Sequence, residues 1–270
     1  MPGFYDTHAH LDYDDFKMDF AAVLERAQAS GIEKIITIAT DLDSSHRAVA
    51  LAEQHPMIHA TVGWHPINAH EAPADIRPDL LALARHPKVV AIGECGLDYH
   101  RLPSTQGGKP ADDASYQRKQ AEIFAQQLEI AVETGLNCVI HQRNSFDDVL
   151  AQVQPFAQRT RGVFHCFGES VERLRKVLGL GWLVSYTGIV TFKNGQNIRD
   201  ALAATPMGKF MLETDCPYLA PVPYRGTRGE PAYVKQISET VAQVKDCSLE
   251  ELSRVTCQTA HDFFPKLAPI

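Results

Sequence analysis

The stretch Phe4-Tyr5-Asp6-Thr7-His8-Ala9-His10, closing on Leu11 and Asp12, sets the frame for everything downstream. An apolar entry followed by alternating side chains reads as a strand, and residues two apart on a strand point the same way. His8 and His10 therefore share one side, where two imidazoles can chelate a cation. A hydrogen-bonded histidine pair is an equally good reading of these two residues alone. Working outward, seven further β-branched runs follow: Lys34–Thr40, Ile58–His65, Val89–Asp98, Asn137–His141, Gly162–Phe167, Trp182–Val190 and Phe210–Asp215. Helical periodicity fills the gaps, as at Phe16–Ala29, Ser45–Gln54, Tyr116–Thr134, Val171–Leu178, Tyr233–Lys245 and Leu249–Phe263. Ser248 and Glu251 have the spacing of a capping box before the last helix.

Regular alternation of strand and helix calls for parallel strands, and eight repeats predict a closed (β/α)8 TIM-type barrel. An open Rossmann-like sheet would want a Gly-rich turn after an early strand, and none occurs. The chain of 270 residues suits one such domain spanning 1–270, with no linker to divide it. The loopiest segment, Leu102–Ala114, follows the fourth strand and belongs at the C-terminal rim as a lid or a surface insertion. No apolar run approaches a membrane span, and the start MPGFYDTHAHLD has no export signal, so a cytoplasmic protein is expected. Six scattered cysteines fit buried reduced thiols. A formal charge of −7 argues against a protein that wraps duplex DNA by charge alone.

Four more candidates fall near the C-terminal ends of different strands. Glu94 follows VVAIG, His141 follows NCVI, His165 follows GVF and Asp215 follows FMLET. Each taken singly is an ordinary rim residue. Six such groups on five strands of one barrel meet at a common mouth, where imidazoles and carboxylates without cations would be costly to bury. Imidazole and carboxylate without thiolate suit Zn, Mn, Co or Mg. Cys95, Cys166 and Cys216 adjoin these positions and are expected to turn away into packing. Six ligands exceed what one catalytic ion needs, whereas two divalent ions about 3.5–4 Å apart would use them.

With these residues in view, the chain resembles the TatD family of metal-dependent deoxyribonucleases, within the wider metallo-hydrolase barrels. FYDTHAHLD, GWHP, AIGECGLDY, HCF, SYTGIVTFKN and ETDCPYLAPVPYRG occur in the family's order between residue 4 and about residue 264. The resemblance implies a barrel with divalent ions at its mouth and ligands at His8, His10, Glu94, His141, His165 and Asp215. It further implies that His8 and His10 serve one ion and His141 and His165 the other, that Glu94 bridges, and that Asp215 lies beside the attacking water. His65 of GWHP corresponds to a substrate contact. HQRNS at strand five, Gly229, Thr259 and the long 102–114 segment depart from the family pattern without touching a proposed ligand.

The implied reaction is hydrolysis of DNA phosphodiesters, expected to be exonucleolytic on single-stranded ends, with Asp215 and Glu94 as catalytic groups. Arg143 and Arg225 are candidates for flanking phosphates, and Arg228 and Lys193 are further basic rim residues. Tyr99, Phe167 and Tyr218 are positioned to stack on a base or simply to pack at the rim. The alternative enzyme is an amidohydrolase-type barrel cleaving a small amide, lactone or ester with the same ligands. A binding module would need a broken ligand set, and all six positions are filled.

Overall fold

The computed structural model describes residues 2–267; residue 1 and residues 268–270 of the expected 1–270 domain lie outside the described residues. Among the described residues there are eight strands: β1 (Phe4–Ala9), β2 (Ile32–Thr37), β3 (Ile58–Val62), β4 (Val89–Asp98), β5 (Asn137–Arg143), β6 (Gly162–Phe164), β7 (Leu183–Tyr186) and β8 (Phe210–Leu212). They form one sheet in sequential order, every neighbouring pair parallel. Helices α1 (Phe20–Ala29), α2 (Leu42–Gln54), α3 (Arg77–Ala84), α4 (Asp113–Thr134), α5 (Phe146–Val153), α6 (Val171–Gly179), α7 (Gln196–Ala204), α8 (Val234–Lys245) and α9 (Leu249–Phe263) alternate with them. This is the TIM-type barrel that the alternation predicts. No helix among the described residues is long and apolar enough to cross a membrane.

The ring closes between β8 and β1. The His10 amide donates to the Cys216 carbonyl (2.8 Å) and the Asp215 amide to the His8 carbonyl (2.9 Å). Below them, the buried Asp6 carboxylate accepts from the amide (2.9 Å) and hydroxyl (2.5 Å) of Thr214 and from the His8 amide (3.3 Å). One side chain thus ties both edge strands. Without it, two buried amide donors would lose their acceptor, at about 1–3 kcal/mol each.

Several strands end earlier than the sequence reading placed them. β3, β6, β7 and β8 stop at Val62, Phe164, Tyr186 and Leu212, and the residues beyond curl over the mouth. The apolar run continues past the ladder because those residues still pack inward, so hydrophobicity overstates strand length. α3, α5 and α7 were not singled out from the sequence; at eight or nine residues each, they offer barely two turns of periodicity. α2 starts three residues before the expected Ser45, because Asp41 and Ser44 form a reciprocal capping box. At α9 the Ser248 side chain accepts from the Glu251 amide, one half of the expected capping box. Segment 102–114 holds two short 3-10 turns and the first residues of α4, closed by the Ser104 amide and hydroxyl donating to Asp113.

Arg228 is committed to structure rather than to the rim. It pairs with Asp19 and Glu230 (2.8 Å each) and lies over the Phe16 ring, while Arg26 joins the same two carboxylates. The cluster straps the segment before α8 to α1.

Candidate metal centre

The six groups singled out from the sequence converge at the C-terminal mouth. His8 stands on β1 and His10 one residue past it; Glu94 is on β4 and His141 on β5; His165 follows β6 directly and Asp215 lies three residues past β8. Backbone bonds continue beyond the strands to fix them. The Glu94 amide donates to the Ala39 carbonyl (3.2 Å), the His165 amide to Ile140 (3.0 Å) and the His65 amide to Thr40 (2.9 Å). Gly96 follows Glu94 at φ +146°, and any Cβ there would strike the His141 carbonyl, so β4 and β5 approach closely only with glycine at this point.

Glu94, nearly fully buried, divides its two oxygens. Oε2 faces His8 Nε2 (3.4 Å) and His10 Nε2 (3.8 Å). Oε1 faces His141 Nδ1 (2.6 Å), His165 Nε2 (2.7 Å) and His65 Nε2 (3.4 Å). Asp215 Oδ1 stands 3.6 Å from His8 Nε2 and 3.5 Å from His10 Nε2. Two groups of lone pairs therefore lie either side of one carboxylate.

Hydrogen bonds to the far ring nitrogens assign the tautomers. His10 Nδ1 donates to the Ile38 carbonyl (3.3 Å), which leaves the lone pair on Nε2, toward Glu94. His141 Nε2 donates to Asp98 (3.3 Å), which leaves the lone pair on Nδ1. Both orientations present an imidazole lone pair to a carboxylate oxygen, an arrangement that needs a proton or a cation between them. The buried His8 ring has neither nitrogen hydrogen-bonded, although such atoms are ordinarily paired. The donor set thus fits hard or borderline divalent ions. His65 differs: its Nδ1 accepts from the Ile67 amide (3.1 Å), so Nε2 carries the proton and acts as a donor. In this structure that donor faces His141 Nδ1 (3.2 Å), so His65 joins Glu94 and His141 in one close group.

Protonation follows the same geometry. The carboxylate field around them, against burial, holds His10 and His141 above the ordinary imidazole range and His165 well above it. The surrounding imidazoles, against burial, hold Glu94 well down. Burial lowers His8, and it lowers His65 to about 4. In the ion-free protein the raised imidazoles stabilise the fold below about pH 6.5, and that contribution fades as pH rises through their elevated values. Divalent ions compete for the same lone pairs, so their uptake runs the opposite way and weakens as pH falls. Titration calorimetry with Zn2+ at pH 6 and pH 8 is expected to show the tighter binding at pH 8, with proton release.

A cavity of about 480 Å3 opens above the cluster, its wall including Tyr13, Arg101, Arg143, Ile189, Tyr218 and Leu219. Arg143 lines this cavity. Arg225 is outside, its guanidinium 3.8 Å from the Phe192 ring centroid and donating to the Ala220 carbonyl. Of the three aromatic candidates, Phe167 is buried in the core and Tyr99 donates to Asp148, so only Tyr218 lines the cavity. Cys95 and Cys216 pack inward as expected. Cys166 does not: the strand has ended by then, its φ is +47°, and it joins the cavity wall. The sequence reading passed over three residues beside the cluster. Asp98 holds His141, Glu213 accepts from the Cys166 amide and stands 3.6 Å from His165 Nδ1, and Tyr13 stacks on His10 at 4.8 Å. Asp98 and Glu213 sit four residues after Glu94 and two before Asp215, a spacing that marks both as neighbours of the site.

Comparison with known proteins gives concordant matches. A family model described as TatD related DNase matches residues 5–265. The Bacillus subtilis protein named uncharacterized metal-dependent hydrolase YabD is 36% identical, covering 96% of this chain and 98% of its own. The Enterobacter lignolyticus protein named 3'-5' ssDNA/RNA exonuclease TatD is 32% identical, with 96% and 98% covered. The crystal structure of YJJV, a TatD homolog from Escherichia coli, superposes with a TM-score of 0.88 at 28% identity and 98% coverage of each chain.

Proposed function

Since the chain belongs to the TatD-related family of metal-dependent hydrolases, we propose that it is a two-metal phosphodiesterase that trims single-stranded ends of DNA. The observation that carries this reading is the division of Glu94, one oxygen toward His8 and His10 and the other toward His141 and His165. In this reading His8 and His10 would hold one ion, His141 and His165 the other, and Glu94 would serve both. Two divalent ions so held, whether Zn, Mn, Mg or Co, would lower the pKa of a bound water and neutralise charge on the phosphoryl oxygens.

The chain's own groups do the rest. Asp215, on the His8–His10 side of the cavity, accepts the proton of the attacking water. His65 donates from Nε2 to a phosphoryl oxygen. Arg143 holds the flanking phosphate inside the cavity, and the exposed Arg225 meets the strand beyond it. As the sugar oxygen leaves phosphorus, it takes up a proton and the strand is one unit shorter. A net charge of −7 gives a modest, salt-sensitive grip, in keeping with single strands rather than duplex. Six free cysteines suit a reducing cytosol as the place of action.

Purified protein supplied with Mn2+ is expected to hydrolyse a single-stranded oligonucleotide and bis-p-nitrophenyl phosphate. Chelation should abolish both activities and added divalent ion restore them. Turnover confined to a panel of amides, lactones and esters would reject the phosphodiesterase reading in favour of the amidohydrolase one.

A further inference from the structure

The cavity wall is unevenly furnished. In a ring ordered β1 to β8 and closed between β8 and β1, the ends of β4 and β5 lie opposite those of β8 and β1. Arg101 and Arg143 stand on the β4–β5 side; Tyr13 and Tyr218 stand on the β1–β8 side, with Glu94 and its imidazoles between. Tyr13 is covered on one face by His10, at 4.8 Å and 19°. Tyr218 meets Tyr13 nearly at right angles, centroids 6.4 Å apart and planes at 79°, so the two rings form a corner. Tyr218 is 53% exposed, yet its backbone is fixed. Its amide donates to the Asp215 carbonyl (3.0 Å), and Gly229 seals the loop by donating to the Pro217 carbonyl (2.8 Å). A Cβ at Gly229 would run into the Tyr218 carbonyl. Leu219 and Ile189 extend the apolar wall.

We propose that the Tyr13–Tyr218 corner receives the unpaired base of the terminal nucleotide while Arg101 and Arg143 take its backbone from the opposite wall. This inference rests on the phosphodiesterase reading above and names the source of its strand preference. A base can enter the corner only if it is unstacked and unpaired, and the ring face accepts any base. A cavity of about 480 Å3 has room for a small ligand rather than for a duplex end.

The test compares kcat/KM on two oligothymidylates of equal length, one ended by thymidines and the other by abasic residues at both termini. The preference is taken as a ratio within each enzyme preparation, so it is independent of the active fraction. Wild type is expected to prefer the thymidine-ended strand by on the order of tenfold. Tyr218→Ala should bring the ratio close to one, and Tyr218→Phe, which keeps the ring, should retain it. A wild-type ratio near one, or a Tyr218→Ala ratio equal to wild type, overturns the corner and leaves the phosphodiesterase reading standing. Failure of the wild type to cleave any phosphodiester, bis-p-nitrophenyl phosphate included, overturns that reading and this one with it.

Discussion

Glu94→Gln is expected to strip the centre of both ions and to lower turnover by more than about 100-fold, the upper range for losing a mere outer partner of a metal ligand. The amide keeps the shape of the carboxylate but not its charge, and one of its two positions becomes a donor. Every contact now made by Oε1 and Oε2 is with an imidazole nitrogen, between 2.6 and 3.8 Å. Two of those rings, His10 and His141, aim lone pairs at it, and they would gain nothing from an amide carbonyl. Metal analysis after dialysis against Zn2+ is the direct measurement, with His8→Ala as comparison because it touches only one pair. Retention of two ions per chain by Glu94→Gln would remove Glu94 as the shared ligand. The fold itself should survive, since imidazoles deprived of the carboxylate can shed their protons rather than remain as unpaired buried charges.

Asp215→Asn should behave differently, keeping metal while losing kcat by about 10^2- to 10^4-fold, the range for a removed general base. The position tolerates the change: its φ of +59° is one that Asn adopts as readily as Asp. The surrounding imidazoles lower the Asp215 carboxyl against burial, so in the unsubstituted protein it is ionised and ready to accept a proton at neutral pH. Its Oδ1 stands about as far from His8 as from His10, at 3.6 and 3.5 Å. Single-turnover rates across pH, with metal content measured alongside, separate the two roles. Full activity with metal retained would exclude Asp215 as the proton acceptor.

Much of this site was readable from residue order because a parallel barrel brings every strand end to one rim. Glu94, His141, His165 and Asp215 each follow an apolar run, and knowing the architecture was enough to bring them together. What escaped was set by backbone that leaves the strand pattern. Cys166 was assigned to packing by alternation, yet the ladder had stopped at Phe164 and the next residues turn. Arg228 looked like a rim cation because nothing local reveals Asp19, 209 residues away. Tyr13 gave no signal, since its role depends on the ring of His10 three positions earlier rather than on a motif. Gly229, an oddity in the sequence, becomes intelligible once the Tyr218 carbonyl is seen beside it.

Asn144, Cys166, Asp215 and Leu219 all hold left-handed backbone, and all four border the cavity. Side chains other than glycine sit there at a local energetic penalty, which the surrounding barrel must outweigh. The rim is therefore the natural place for thermal hardening, and also the place where hardening threatens turnover. Glycine at Asn144 or Leu219 would relieve torsion while loosening the walls that frame the ions, setting robustness and catalytic rate against each other at the same handful of residues.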